Sequence, residues 1–100
     1  MIKLIALFKT PQEVESFDQH YDAVHLPLVR NLPGIRQLEV TRVVGAPIGE
    51  SKFHVMAELS FDNKDALDAA LASPEGKALA KDLLHFAANV VTVFYGETVE

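Results

Sequence analysis

The chain has 100 residues and a mass of 11.0 kDa, with 49% hydrophobic and 23% charged residues: the length of one domain, and a composition that excludes a disordered tail. Nine Lys plus Arg against 14 Asp plus Glu leave a net charge of −5, the wrong sign for neutralising phosphates, so nucleic acid is not an expected partner. Cys is absent, which excludes disulfides and thiolate chemistry, and no uncharged apolar run of about 18 residues exists to cross a bilayer.

Ile2 to Phe8, rich in large and β-branched apolar residues, reads as a strand that stops at Thr10-Pro11. The run is too short for the apolar core of a secretion signal and lacks a small-residue cleavage site, so with no Cys the expected setting is cytoplasmic. From Pro11 to about Asn31, Val14, Phe17, Tyr21, Val24, Leu28 and Leu32 recur at spacings of three and four, which predicts an amphipathic helix. Pro27 removes a backbone donor near its end and should kink or stop the regular turn there. Asn31-Leu32-Pro33-Gly34 then turns the chain.

Ile35 to Val44 reads as a second strand, and Gly45-Ala46-Pro47-Ile48-Gly49 as the connection to a third, Lys52 to Phe61. In that third strand Phe53, Val55, Ala57, Leu59 and Phe61 alternate with Lys52, His54, Met56, Glu58 and Ser60, which predicts one apolar and one polar face. Asp62-Asn63 can cap a helix carrying Ala66, Leu67, Ala70 and Leu71, and Ser73-Pro74-Glu75 restarts it with Leu79, Leu83 and Phe86 as the buried stripe. Val90 to Tyr95 closes the chain as a fourth strand. The order βαββαβ is that of an α+β, ferredoxin-like subunit with a four-stranded antiparallel sheet. Helices cover only one side of such a sheet, and strands one and four are apolar on both faces, so a second copy is expected over the bare face.

The most informative stretch runs from Phe17 to Val29. Tyr21 and His25 lie four apart, one turn above the other on or beside the apolar stripe, so two polar tips point inward and must find partners or line a cavity. His20 falls to the rim of the stripe; five residues from His25, it would sit on a different side of a regular helix. His54 and Glu58 share the polar face of the third strand, with Arg42, Glu39 and Gln37 on the second; an ion pair there and a second pocket base at His54 are both open readings. The His spacing supplies no three ligands on one element, so no metal is expected. A Ser/His/Asp elbow and a glycine-rich phosphate loop are also absent from the sequence.

These residues carry a resemblance. The chain is similar to the EthD-like family of dimeric α/β-barrel proteins through His20-Tyr21-x-x-x-His25-x-Pro27-Leu28, through Leu32-Pro33-Gly34, and through Ser73-Pro74-Glu75-Gly76. The resemblance covers essentially the whole length and implies a ferredoxin-like subunit that pairs its sheet with a second copy to close a barrel, with assemblies of dimers also possible. It implies a pocket between sheet and helices, and kinship with cofactor-free monooxygenases, isomerases, cyclases and haem proteins. On it, Tyr21 and His25 match the helix motif, and His54 matches a strand position where relatives often carry His.

The resulting expectation is a small enzyme, an oxidoreductase or isomerase without cofactor, that binds a mostly apolar oxygenated organic molecule between helix one and the sheet. His25 would serve as general base, Tyr21 as hydrogen-bond donor and His54 as a second base, with His20, Phe17, Leu28 and Arg42 contacting the substrate. The rival expectations are a binding or accessory protein in which the same residues only hydrogen-bond the ligand, and a structural dimer.

Overall fold

The computed structural model describes residues 1–99. Strand β1 (Ile2–Lys9) leads into α1 (Val14–His20), a π-helical turn (Tyr21–His25) and α2 (Leu26–Arg30). Strands β2 (Gln37–Arg42) and β3 (Phe53–Phe61) follow, then α3 (Lys64–Ala72), α4 (Pro74–Ala87) and β4 (Val91–Glu97). The sheet has the order β2-β3-β1-β4 with every neighbouring pair antiparallel, the ferredoxin-like arrangement expected from the element order. Strand β2 is shorter at both ends than the predicted Ile35–Val44, although Arg36 N–H to Ser60 O and Val43 N–H to His54 O carry the pairing one residue further each way. Strand β4 runs on to Glu97.

Register assigns the two sheet faces. Ile2, Leu4, Ala6 and Phe8 stand opposite Phe61, Leu59, Ala57 and Val55 and pack under the helices with Val29, Leu32, Leu67 and Leu79 at one end and Phe17, Tyr21 and Ala87 at the other. Phe8, Val55 and Phe61 are fully buried, each contributing about 1.5–3 kcal/mol from water exclusion. The opposite face carries Ile5, Leu7, Met56 and a half-exposed Phe94, crossed by one ion pair from Lys3 Nζ to Glu58 Oε2 at 3.2 Å.

The local signals for α3 and α4 act as read. Asn63, rather than Asp62, caps α3 by accepting from Ala66 N–H, while Asp62 takes a bidentate bond from Arg36. Ser73 Oγ accepts from Gly76 N–H with Pro74 at the first helical position. Gly34 takes the turn after α2 with a positive φ of 78°.

Two departures from the expected pattern matter for function. The long first helix is not uniformly α: Leu26 N–H reaches back five residues to Tyr21 O. Pro27 explains the location, since it offers no N–H to Ala23 O and its ring would crowd that carbonyl in a regular turn. The extra residue per turn also shifts the phase of the stripe. Val24, expected inside, is exposed as a result, and the buried series is Phe17, Tyr21, His25, Val29 and Leu32; Val14, also expected inside, is exposed at the very start of α1, ahead of the turn. The second departure lies in β3, where Phe8 pairs with Val55 but Lys9 with Phe53, leaving His54 as an extra residue in a bulge. The bulge breaks the predicted alternation, so Phe53 leaves the apolar face and His54 separates from Met56 and Glu58.

Candidate functional site

The π turn decides which side chains of the first helix meet. In a regular α-helix residues five apart point to different sides, whereas a turn closed over five residues brings them onto one side. His20 and His25 therefore both face α4, where the Asp82 carboxylate receives them. His20 Nε2 lies 2.7 Å from Oδ1 and His25 Nδ1 lies 3.0 Å from Oδ2. This corrects the expectation that the two imidazoles diverge.

A carboxylate offers only acceptors, so both ring nitrogens donate, which fixes each tautomer. The ring nitrogens turned away from the carboxylate are His20 Nδ1 and His25 Nε2. Burial holds the His25 pKa below the ordinary imidazole value of 6.5, against the opposing hydrogen bond and charge of Asp82, so the ring is neutral at pH 7. Among the described residues no group of three or more His, Cys, Asp or Glu side chains is arranged to hold a metal ion, and here two of the imidazole nitrogens are already bonded to the carboxylate.

Tyr21 stacks beside His25 with ring centroids 5.4 Å apart and is 2% exposed. Its Oη is the one fully buried side-chain polar atom among the described residues without a hydrogen-bond partner. Burial first, and the Asp22 carboxylate second, push its pKa up to about 12 against the pull of Arg42, so the hydroxyl keeps its proton and remains a donor.

A cleft of about 710 Å³ opens between the β1–α1 connection and the C-terminal end of α4. Phe17, His20, His85 and Phe86 line it, with Glu13, Ser16 and Asn89 at the polar margin. Tyr21 and His25 do not line it; they lie behind Phe17 and Phe86. On the other flank of α1, His54 Nε2 bonds Asp18 Oδ1 at 2.7 Å and its ring packs edge-on against Phe17. Arg42 grips both oxygens of Asp22 at 3.1 Å, half exposed. Leu28 packs into the far part of the core with Val29 and Leu32, away from the cleft. Of the residues expected to form one site, His20, Tyr21, His25 and Phe17 come together, whereas His54 and Arg42 tie down the outer side of α1 and Leu28 stands apart.

Asp82 was not singled out from the sequence, although its signal is there. It sits at the three-and-four spacing of Leu79, Leu83 and Phe86, an acid on the stripe that faces the core. Asp18 and Asp22 carry no such mark, being ordinary acids on a solvent-facing side.

The profile of the EthD domain matches residues 9–89. The chain belongs to the EthD family. An EthD family protein from Bacillus halodurans, solved by crystallography, superposes with a TM-score of 0.96 at 45% identity over 99% of both chains. An uncharacterized 11.0 kDa protein of the thcB–thcC intergenic region of Rhodococcus erythropolis is 28% identical over 95 residues, 95% of this EthD chain and 92% of that one. A dimeric protein of ferredoxin-like fold from Bacteroides fragilis has a TM-score of 0.68 at 20% identity, covering 97% and 95% of the two chains, a likeness of fold. No helix of this EthD protein is long and apolar enough to cross a membrane among the described residues.

Proposed function

We propose that this EthD protein binds a small, mostly apolar, oxygen-bearing organic molecule against α1 and removes a proton from it. The observation that carries the reading is a single carboxylate, Asp82, bonded to two imidazoles, one of which lines an open cleft. Asp82 orients both rings and stabilises whichever becomes imidazolium, as a carboxylate behind a catalytic histidine does. A ligand in the cleft meets His20, and His25, neutral at pH 7, is the deeper base. Tyr21, whose hydroxyl keeps its proton and has no partner in the fold, does not line the cleft and donates only to a ligand oxygen that passes the Phe17 and Phe86 rings. The proton moves from the ligand's O–H or activated C–H to an imidazole nitrogen, the electron pair staying on the ligand as phenolate or enolate. That step opens an isomerisation and, with molecular oxygen as co-reactant, an oxygenation. A non-catalytic binding protein is the second reading, favoured by the depth of His25, which is 4% exposed.

We further propose that a second copy covers the sheet face bearing Ile5, Leu7, Met56 and Phe94, as a soluble monomer rarely leaves such a face bare. The dimeric description of the Bacteroides fragilis neighbour supports this.

The test titrates a panel of phenols and enolisable ketones, led by 4-nitrophenol, whose absorbance reports loss of its own proton, into the native protein and Asp82→Asn. Saturable binding with a shift to the nitrophenolate band, both weakened about tenfold or more by the substitution, is expected. Binding with no shift would favour the binding-protein reading, and no saturable binding by any member would overturn both.

A further inference from the structure

Removing a proton from a ligand leaves negative charge on its oxygen, and a site that does so supplies a hydrogen-bond donor to that oxygen. Tyr21 stands behind Phe17 and Phe86, so for a ligand seated in the cleft the donor has to come from the cleft's own walls. The polar residues there divide by element. Ser16 lies one turn before His20 on α1 and so shares the wall of the base, while Glu13 and Asn89 fall outside the two helices, at the margin. The facing element, α4, presents His85, whose ring centre is 6.0 Å from that of His20 with the two planes inclined at 52°. A ligand entering between α1 and α4 therefore meets one imidazole from each side.

The two imidazoles are not equivalent. The Asp82 oxygens are taken by His20 and His25, so the carboxylate stands behind His20 and not behind His85. The positive charge that proton uptake creates is best held on His20, through Nδ1, whereas His85, exposed on the last turn of α4, brings a ring N–H to the same cleft. We propose that His85 is a further catalytic residue, donating a hydrogen bond to the ligand oxygen across the cleft from the base His20, and that the ligand class is an enolisable carbonyl compound rather than a phenol. The inference rests on the reading under Proposed function, that a proton is removed in this cleft, and adds to it the donor and the substrate class. A phenol loses its proton from the atom that keeps the charge, so one group suffices. A carbonyl compound loses it from carbon while the charge settles on an oxygen about 2.4 Å away, which calls for two groups, each within about 3 Å of its own atom. Two rings centred 6.0 Å apart on facing helices match that demand. In the step, the α-carbon's proton passes to His20 Nδ1, the C–H electron pair becomes the C=C bond, and the carbonyl π pair moves to the oxygen held by His85. Phe17 and Phe86, ring centres 5.2 Å apart, give the apolar remainder of the molecule its contacts.

The experiment uses full-length protein and 2-tetralone, a ketone with an acidic C–H beside an aromatic ring, and follows exchange of that hydrogen for deuterium in D2O by proton NMR. The native protein should exchange it faster than buffer alone, with a rate that saturates as the ketone concentration rises. His85→Ala, a change at an exposed position, should lower the saturated rate by about tenfold or more with little change in KM, because the donor acts on charge that develops in the transition state. His85→Gln, which places an amide N–H on the same wall, should recover part of the rate. A rate in His85→Ala within about twofold of the native one, or a loss in Ser16→Ala as large as that in His85→Ala, overturns the assignment of the donor. If the native protein exchanges no tetralone hydrogen while the Asp82-dependent shift of 4-nitrophenol persists, the donor and the substrate class fall and the proposed function stands; loss of that shift as well removes the reading beneath them.

Discussion

Replacing Tyr21 by Phe removes a single oxygen, and the fold should become more stable. Oη is buried and unpartnered, so folding takes a hydroxyl out of water and returns nothing, at about 1–3 kcal/mol. Deleting the oxygen recovers that amount and forfeits only a few dispersion contacts, about 0.1–0.2 kcal/mol each. The net expectation is a gain of about 1–2 kcal/mol at pH 7, and in a domain of this length each 1 kcal/mol moves the Tm by about 4–8 °C. The alkaline limb adds an independent check. The folded Tyr21 pKa of about 12 lies above the ordinary 10.0, so the unfolded chain releases this proton first. Native stability therefore falls as pH rises from 10 towards 12, by about 1.4 kcal/mol per unit, while Tyr21→Phe lacks that loss. Thermal unfolding followed by circular dichroism at pH 7, and urea unfolding from pH 9 to 11.5, measure both. A Tyr21→Phe protein less stable by 1 kcal/mol or more at pH 7 would refute the reasoning, because the hydroxyl would then be making a bond within the folded protein, to a held water for instance.

The acid limb should belong to His25, whose folded pKa is depressed by burial among Tyr21, Phe8 and Phe86, with Asp82 and His20 the titratable groups facing it. Its contribution is present above pH 6.5 and is lost as pH falls towards the folded value, by up to about 1.4 kcal/mol per unit, a slope that His25→Gln should flatten in denaturant titrations. Asp82→Ala leaves two imidazole N–H groups without their acceptor and should cost about 2–4 kcal/mol, read as a fall in urea midpoint at unchanged slope. Phe94→Asp places a charge on the open sheet face, so light scattering should give twice 11.0 kDa for the native protein and 11.0 kDa for the variant. A native monomer at micromolar concentration would remove the dimer. Gly76→Ala drives a Cβ into the Ala70 and Leu71 backbone where α3 meets α4, and a loss of several kcal/mol, seen as a large drop in Tm, is expected.

Local rules made much of this fold legible. The element order, the Asn63 and Ser73 caps, Pro74 at a helix start and the Pro33-Gly34 turn each rest on a few adjacent residues whose preferred conformations agree with one another. Tyr21 and His25 as inward-facing polar groups were legible for the same reason, because four residues is one turn whether or not the helix widens. What the linear pattern could not carry was phase. Pro27 announces a disturbance in the helix but not that it is absorbed as a π turn, and that choice exposes Val24 and swings His20 round to join His25. The bulge at His54 likewise arises from how β1 and β3 pair across 45 or so residues, and it moves the imidazole from the face with Glu58 to Asp18 on α1. Asp82, 57 residues from His25, is an acid on an apolar stripe until α4 docks. The sequence by itself determined which residues wanted partners; the tertiary structure decided which partners they found, because pairing depends on distances between elements that no local preference encodes.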